Sequence, residues 1–197
     1  MTEALDREGR RQAILDAALE LFAERGFHGT AVPAIAERAG VGAGTVYRNF
    51  ESKEQLVNEL YRTWKRRFAE HLLAAWPHRA APREQVAHVW RSSLEFAGAH
   101  PWAVSFTELH HHADYLDDAS RALHAELHQR FIALIEGLQA SLALRQDVDA
   151  EVIIAVFEGV FMRLRRADYQ SDAQGVGGLD ASLLEQAERC VWEAIRA

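Results

Sequence analysis

A run of small residues is followed closely by side chains that donate hydrogen bonds. Gly40-Val41-Gly42-Ala43-Gly44 contains no side chain larger than valine, and Thr45, Tyr47, Arg48 and Lys53 come soon after it. A hydroxyl, a phenol, a guanidinium and an ammonium are common partners of phosphate oxygens. Backbone without side chains lets another molecule approach closely. The segment therefore indicates a surface that contacts nucleic acid.

Histidines form the second group of residues with chemical potential. His110, His111 and His112 are consecutive, and His124 and His128 are spaced four apart, as are Glu108 and His112. Pairs at this spacing share a helix face and can bind a metal or transfer protons. Three consecutive helical side chains, however, point about 100° apart and cannot converge on one ion. Because no catalytic motif accompanies these histidines, we interpret them as surface or pocket-lining residues. We expect that the protein binds no metal or cofactor and is not an enzyme.

Composition limits the class of protein. The 197 residues are 49% hydrophobic with 4 Pro and 12 Gly, which suits a packed, helix-rich chain. Cys190 is the one cysteine, so an intrachain disulfide and a cysteine-based zinc site are excluded. Charges of both signs near the N-terminus exclude a signal peptide, and no apolar run could span a bilayer. We expect a cytoplasmic protein with no membrane partner.

The charge is unevenly distributed along the chain. The net charge is −7, yet residues 1–70 hold 11 basic and 11 acidic residues, whereas residues 71–197 hold 11 and 18. The acidity therefore lies outside the donor-rich segment. Any basic footprint for nucleic acid must be local rather than a broad patch.

Helices must position the donors. Apolar residues recur at helical spacing over 12–25, and Gly26 is placed to end that helix with a positive φ. Thr30 can cap a short second helix with Pro33 in its first turn, and a third short helix follows over about 43–49. Ser52 and Gln55 have the capping-box spacing at the start of a long helix that continues to about Ala75. Three short helices with a glycine-containing turn between the second and third are typical of a helix-turn-helix.

The remaining pattern is also helical. Further helices are predicted near 83–99, 101–113, 118–144, 149–169 and 180–196. The predicted fold is all-α with about nine helices and no convincing strand. We divide it into a helix-turn-helix domain over 1–52 and a helical effector-binding and dimerisation domain over 53–197.

The N-terminal block resembles the TetR family of bacterial transcriptional regulators. The resemblance rests on Thr30-Ala-Val-Pro-Ala-Ile-Ala-Glu-Arg-Ala-Gly-Val-Gly-Ala-Gly-Thr-Val-Tyr-Arg-Asn-Phe-Glu-Ser-Lys-Glu-Gln-Leu56. The preceding Ile14-x-x-Ala17-Ala18-x-x-Leu21-Phe22-x-x-x-Gly26-Phe27 is similar to that family's first helix. The match covers about residues 10–60 at fixed spacing, so chance is a poor explanation. A helical bundle whose glycines only permit close packing is the alternative.

The resemblance implies that the first three helices bind DNA and that the others form an effector pocket and a dimer interface. By position, Thr30, Tyr47 and Lys53 would contact phosphates, and Gly44 would let the backbone approach the DNA. Gly42 and Ala43 stand where the family usually has a capping residue and a larger side chain. We therefore expect Arg48 to make most of the direct contacts with DNA bases, with Thr45 and the shape of the DNA also contributing to sequence specificity. The predicted DNA-binding residues are Thr30, Gly42, Ala43, Gly44, Thr45, Tyr47, Arg48 and Lys53.

Aromatic residues are dense in the middle helices, where core packing accounts for most of them. Some of them, near Glu108 and His110, could hold an apolar or aromatic ligand. The predicted pocket residues are Trp64, Phe68, Trp102, Phe106, His110 and Phe131.

Two broad apolar stripes mark the last two helices. Two such helices from each of two chains would pack as a four-helix bundle around a two-fold axis. The alternative is that both stripes pack inward within one chain. The predicted interface residues of this homodimer are Phe157, Val160, Phe161, Leu164, Leu184, Val191 and Trp192.

Together these features predict a ligand-responsive repressor. A homodimer would bind a palindromic double-stranded operator and release it when a small-molecule effector binds. The histidine cluster motivates the alternative, a helical small-molecule or metal-binding protein with a non-functional helix-turn-helix.

Overall fold

The computed structural model describes residues 6–109, 114–173 and 180–197, and these form an all-α protein. Its helices are α1 (Arg7–Arg25), α2 (Val32–Arg38), α3 (Ala43–Asn49), α4 (Lys53–Leu73), α5 (Pro82–Ala99), α6 (Pro101–Leu109), α7 (Asp118–Ala140), α8 (Ala150–Ala173) and α9 (Ala181–Ile195). No strand occurs in these ranges, where Leu144 and Arg196 form an isolated β-bridge. The predicted fold class and number of helices are confirmed.

Local sequence sets the ends of α1. The Asp6 carboxylate accepts a hydrogen bond from the Gly9 amide at 2.7 Å and caps the helix. At the other end Gly26 has φ 69°, and its amide donates to the Phe22 carbonyl. This backbone conformation is costly for residues with a side chain, so the predicted use of glycine here is confirmed.

Thr30 caps a different helix end from the one its sequence position suggests. Its hydroxyl donates to the carbonyls of Leu21 at 3.1 Å and Gly26 at 2.8 Å, at the C-terminal end of α1. The N-cap of α2 is Ala31, which has no side-chain capping bond. The prediction that Thr30 caps α2 is wrong, because the turn after α1 brings the hydroxyl back to carbonyl oxygens at the C-terminal end of α1.

The start of α4 carries a capping box. The Gln55 amide donates to the Ser52 hydroxyl at 3.1 Å, as the spacing predicts. The Gln55 side-chain oxygen accepts from the backbone amide of Glu51 at 2.6 Å, one residue earlier than the standard box. The junction between α3 and α4 is therefore held by reciprocal bonds.

The chain divides into two compact units. The first comprises Met1–Phe68 and Phe96–Leu123, so it contains α6 and most of α4 as well as α1–α3. Its core is apolar, with Phe22 of α1 stacked on Phe106 of α6 at a centroid distance of 6.1 Å. The predicted boundary at residue 52 is a division by function and stays a prediction.

The second unit comprises Ala69–Glu95 and His124–Ala197. Trp90 of α5 packs edge-on against Phe157 and Phe161 of α8, at centroid distances of 5.5 and 5.9 Å. The Arg83 guanidinium forms an ion pair with Glu188 and lies 5.3 Å from the Trp192 ring. Through the described ranges, no helix is long and apolar enough to cross a membrane.

Candidate nucleic-acid interface

The turn between α2 and α3 is a Schellman motif. The Gly40 amide donates to the Glu37 carbonyl at 3.1 Å, and the Val41 amide donates to the Ala36 carbonyl at 2.9 Å. Gly40 has φ 66°, which favours glycine. This turn fixes the direction in which α3 leaves α2, as a helix-turn-helix requires.

One side of α3 anchors it to the core of the first unit. Val46 is buried, and so is Phe50, which follows the helix directly. Both belong to one apolar cluster with Ile35 of α2 and Leu21 of α1. The opposite side of α3 is thereby held outward on a rigid support.

The outward side presents few but polar groups. The Tyr47 side chain is 57% exposed, Arg48 is exposed and Thr45 is half-buried. A guanidinium nitrogen of Arg48 donates to the Thr45 hydroxyl oxygen at 3.0 Å. Phosphate contact and base readout both use groups of these types.

Gly42 and Gly44 have no role in the fold that would require glycine. A Cβ built at either position would meet no described atom within 4 Å, and neither residue has a positive φ. Ala43 between them is exposed. The small side chains leave the backbone at the start of α3 open to an external partner.

Lys53 makes its contacts within the protein. Its ammonium donates to the carbonyls of Phe27 and Thr30, each at 2.9 Å, and lies 4.1 Å from the Phe27 ring centroid. It therefore fastens the start of α4 to the turn between α1 and α2. The predicted phosphate contact of Lys53 is not tested by this geometry, which gives the residue a structural role first.

The predicted DNA-binding residues thus fall into two groups. The first group lies on α3 and the turn before it and comprises Gly42, Ala43, Gly44, Thr45, Tyr47 and Arg48. The second group is Thr30, which precedes α2, and Lys53, which begins α4. Thr30 is only 1% exposed, its hydroxyl is used inside, and its amide donates to the Phe27 carbonyl. Because its donors are already occupied, we leave Thr30 out of the contacts proposed below.

Asn58 is a residue that sequence reasoning missed. It is 2% exposed on α4, and its amide nitrogen donates to the carbonyls of Glu54 and Tyr115, both at 2.8 Å. Its oxygen accepts from the Asp117 amide at 2.9 Å. The available signal was an amide side chain next to Val57, between the apolar positions Leu56 and Leu60.

An ion pair also joins α4 to the segment before α7, which Asn58 contacts through Tyr115 and Asp117. The Arg62 guanidinium donates to the Asp117 carboxylate at 2.8 Å and to the Ser120 hydroxyl at 2.9 Å. Burial raises the pKa of Asp117, but hydrogen bonds from Ser120 and Arg62 outweigh it and hold the pKa below its ordinary value. The Tyr115 ring stacks on Phe27 at 4.2 Å, and burial raises its pKa to about 12. The segment before α7 is thus tied to α4 and to the turn after α1.

The predicted pocket residues that the structure describes lie in several different places, and their role in a pocket stays a prediction. Phe106 is buried against Phe22 and belongs to the core of the first unit. Trp64 and Phe68 form an aromatic cluster with Phe96, at centroid distances of 6.3 and 5.0 Å. Trp102 packs against the core cluster, and Phe131 is half-buried in the second unit. His110 lies outside the described residues.

Of the clustered histidines singled out from the sequence, the structure describes His124 and His128, which form a pair. The rings of His124 and His128 are stacked at 6.1 Å, and His128 contacts the Glu151 carboxylate at 2.8 Å. In the part of the chain described, no three His, Cys, Asp or Glu side chains are grouped to hold a metal ion. His111 and His112 lie outside that part.

The predicted dimer residues divide by burial. Phe161 and Val191 are buried inside the second unit, as the inward-packing alternative holds for them. Phe157, Val160, Leu164, Leu184 and Trp192 are half-buried. Leu183, which the prediction omitted, is 42% exposed on α9. An apolar face thus remains partly uncovered within one chain.

Sequence profiles of known families match the whole length from residue 14 onward. The profile described as bacterial regulatory proteins, tetR family, matches residues 14–60. The profile described as tetracyclin repressor-like, C-terminal domain, matches residues 61–197. The chain belongs to the TetR family of bacterial regulatory proteins.

Individual relatives agree with this assignment. The HTH-type transcriptional repressor KstR2 of Rhodococcus jostii is 48% identical over 56 residues, covering 28% of each chain. The fatty acid metabolism regulator protein of Bacillus subtilis is 35% identical over 92 residues, covering 46% of this chain and 47% of that one. The chain therefore matches about a quarter to a half of the length of these curated relatives.

A solved structure extends the likeness over the complete fold. The crystal structure of a TetR-family transcription regulator from Shewanella sp. PV-4 is similar with a TM-score of 0.75 and 28% identity. The similarity covers 95% of this chain and 98% of that one. The arrangement of the helices is thus that of a known regulator fold.

Proposed function

We propose that the chain is a ligand-responsive transcriptional repressor that binds operator DNA as a homodimer through α3. The carrying observation is the outward face of α3. Neither backbone conformation nor packing within the protein requires glycine at Gly42 or Gly44. The side chains of Tyr47 and Arg48, which follow, are exposed and can donate hydrogen bonds. Family membership supports the same function, because the family binds operators, dimerises and responds to small molecules.

The mode of binding follows from the charge distribution. Residues 1–70 carry no net charge, so a broad basic patch cannot supply the affinity. A few placed donors, duplicated by the two-fold symmetry of a dimer, can supply it instead. Two copies of α3 would enter successive major grooves of a palindromic operator, about 34 Å apart. Such a repressor works in the cytoplasm, where the DNA is.

We further propose an apolar or aromatic effector. The aromatic cluster of Trp64, Phe68 and Phe96 supports this class, as does a relative named as a regulator of fatty acid metabolism. An effector can release DNA only if it binds the DNA-free conformer more tightly than the bound one. It would favour a conformer in which the two recognition helices are wrongly spaced for the operator.

Selection of genomic DNA fragments by the purified full-length chain tests the function. We expect a small number of fragments that contain an inverted repeat, with affinity that falls steeply as salt rises. In gel shifts Arg48→Ala should lose sequence preference while it remains folded. Enrichment of no fragment above background, with folded protein, would overturn the proposal.

The effector class is tested on the selected fragment. A long-chain fatty acid and an aromatic carboxylic acid are titrated into the protein–DNA complex, with sodium chloride of equal ionic strength as control. Release by either compound, at concentrations that leave the protein folded, supports an apolar or aromatic effector. Release by neither, with the complex intact throughout, contradicts that class and leaves DNA binding unaffected.

A further inference from the structure

Arg48 is the single charged side chain between Gly40 and Phe50. The neighbours that precede it on the outward side, Gly42, Ala43 and Gly44, have no group that can hydrogen-bond to a base edge. Tyr47 is exposed, but its phenol carries one donor. A bidentate contact with a base from this helix therefore falls to the guanidinium of Arg48 or to the amide of Asn49.

Asn49 is already occupied. Its side-chain nitrogen donates to the Thr45 carbonyl at 2.8 Å, and the residue is half-buried. The amide is thus bound back to its own helix, at the spacing of one turn. Arg48 is thus the residue of α3 whose forked donors are best placed to contact a base.

The Thr45 hydroxyl holds that fork in place. It accepts from a terminal nitrogen of Arg48 at 3.0 Å, three residues along the same face. An exposed arginine otherwise samples many rotamers, and ordering it on binding costs free energy. The bond to Thr45 uses one of five N–H donors and leaves the others for DNA.

We propose that Thr45 is a positioning residue that orients Arg48 to read one guanine in each operator half-site. The proposal rests on operator binding by α3, as argued above. Guanine presents two acceptors, O6 and N7, in the major groove, and these match two parallel N–H donors of a guanidinium. Adenine presents one acceptor and one donor there, so one N–H of Arg48 would face another N–H. Thr45 contributes by holding Arg48, and Arg48 contacts the base.

The first experiment uses the sequence selected by the wild-type protein. Each guanine of one half-site is replaced in turn by 7-deazaguanine, which lacks the N7 acceptor and retains base pairing. We expect one position to weaken wild-type binding by roughly ten- to hundredfold. Arg48→Ala should be weak on the unmodified duplex and insensitive to this replacement. If no guanine position affects the wild-type protein, the guanine contact is wrong.

The second experiment separates positioning from contact. Thr45→Val keeps the shape of the side chain and removes the acceptor, whereas Thr45→Ser keeps the hydroxyl. We expect Thr45→Val to reduce the preference for guanine at the same position that Arg48→Ala affects, and Thr45→Ser to restore it. Arg91→Ala, which removes an exposed arginine of α5 in the second unit, is the control that should retain the wild-type preference. Thermal unfolding checks that every variant is folded.

Three outcomes would overturn the proposal. If Thr45→Val alters preference at a different base pair, Thr45 itself reads a base. If Thr45→Val binds and discriminates like the wild type, the bond to Arg48 has no function. If Arg48→Ala weakens binding to all duplexes equally and lowers the slope of log affinity against log salt concentration by about one, Arg48 contacts a phosphate. In each case the wild-type protein still selects an operator, so the failure is distinct from failure of the proposed repressor function.

Discussion

At the scale of single residues, Lys53 is a cation beside the proposed DNA-binding surface whose hydrogen bonds stabilise the fold. An ammonium has three donors, and two of them are given to the carbonyls of Phe27 and Thr30. Thr30 in turn uses its hydroxyl on the end of α1. Both residues thus organise the turn that places α2 and α3. If Lys53 only orients the turn, its removal leaves the salt dependence of operator binding unchanged. If Lys53 contacts a phosphate, its removal lowers the slope of that dependence by about one.

We predict that Lys53→Met lowers the free energy of unfolding by about 1–3 kcal/mol, because two charge-assisted hydrogen bonds are lost. Methionine keeps an unbranched apolar side chain and removes the ammonium that lies over the Phe27 ring. We expect the slope of operator affinity against salt concentration to stay unchanged, because two of the three ammonium donors are used within the protein. Denaturant unfolding and binding titrations at several salt concentrations measure both quantities.

The matched control is the other lysine of the chain. Lys65→Met removes the same charge, and Lys65 pairs with the Glu108 carboxylate at 2.7 Å rather than with the turn after α1. A salt slope that falls by about one for Lys53→Met, but not for Lys65→Met, would assign Lys53 to a phosphate.

At the scale of elements, α3 has a sequence that is poor for a helix and well suited to a close contact. Glycine destabilises a helix relative to alanine by up to about 1 kcal/mol. At Gly44 a Cβ would meet no described neighbour and the backbone needs no positive φ. Stability alone would therefore favour alanine at this position.

We predict that Gly44→Ala raises the free energy of unfolding by up to about 1 kcal/mol and weakens operator binding at least several-fold. The added methyl group would separate the helix from the DNA backbone that we propose to lie against it. Gly98→Ala in α5 is the matched control, because a Cβ there also meets nothing within 4 Å. It should show a similar gain in stability with unchanged affinity. Equal affinities for the two variants would contradict the close approach of DNA at Gly44.

The junction of α4 with the segment before α7 makes stability depend on pH. The pKa of Asp117 lies below its ordinary value in the folded chain, since the bonds from Ser120 and Arg62 outweigh the effect of burial. Its contribution is therefore present above the ordinary value of 3.8 and is lost as the pH falls through the lower, folded value.

We predict that the wild type is more stable than Asp117→Asn at pH 7 and that this difference shrinks as the pH falls below about 4. Urea unfolding at pH 7, 5, 3.5 and 2.5 measures it. In an Arg62→Met background the difference at pH 7 should be smaller, because one donor to Asp117 is missing. A difference that is constant over this pH range would show that Asp117 is not stabilised as the carboxylate.

At the scale of the whole molecule, the elements were more predictable than the contacts between them. The capping spacing of Ser52 and Gln55, the glycine after α1 and the limits of α3 follow from local chemistry, and the structure confirms them. Such features depend on residues that are neighbours in sequence, so they can be predicted from one amino-acid sequence.

Features that depend on residues distant in sequence were not predictable. The Thr30 hydroxyl bonds to Leu21 nine residues away, and the Asn58 amide bonds to Tyr115 across 57 residues. Periodicity identifies the helices that carry these side chains, but it contains no information on which helices face each other. For the same reason Phe161 and Val191 could be named as apolar stripe residues without knowing that they pack inward.

We expect the oligomeric state to depend on the stripe residues that remain uncovered within one chain. Leu183 is 42% exposed, and Phe157, Val160, Leu164, Leu184 and Trp192 are half-buried. Leaving such a face in water is unfavourable, and a second copy of the chain can cover it about a two-fold axis. Recognition of a palindrome by two copies of α3 needs the same symmetry.

We predict that the wild type has twice the mass of the 22.2 kDa chain by light scattering at micromolar concentration. Leu184→Glu should give a monomer that retains its helical content, because a carboxylate is costly in an apolar interface. Operator affinity should fall by at least a hundredfold, since one half-site then binds without the other. Leu142→Glu, at a 69% exposed leucine between α7 and α8, is the control that should remain dimeric. A dimeric Leu184→Glu with wild-type affinity would move the interface away from α9.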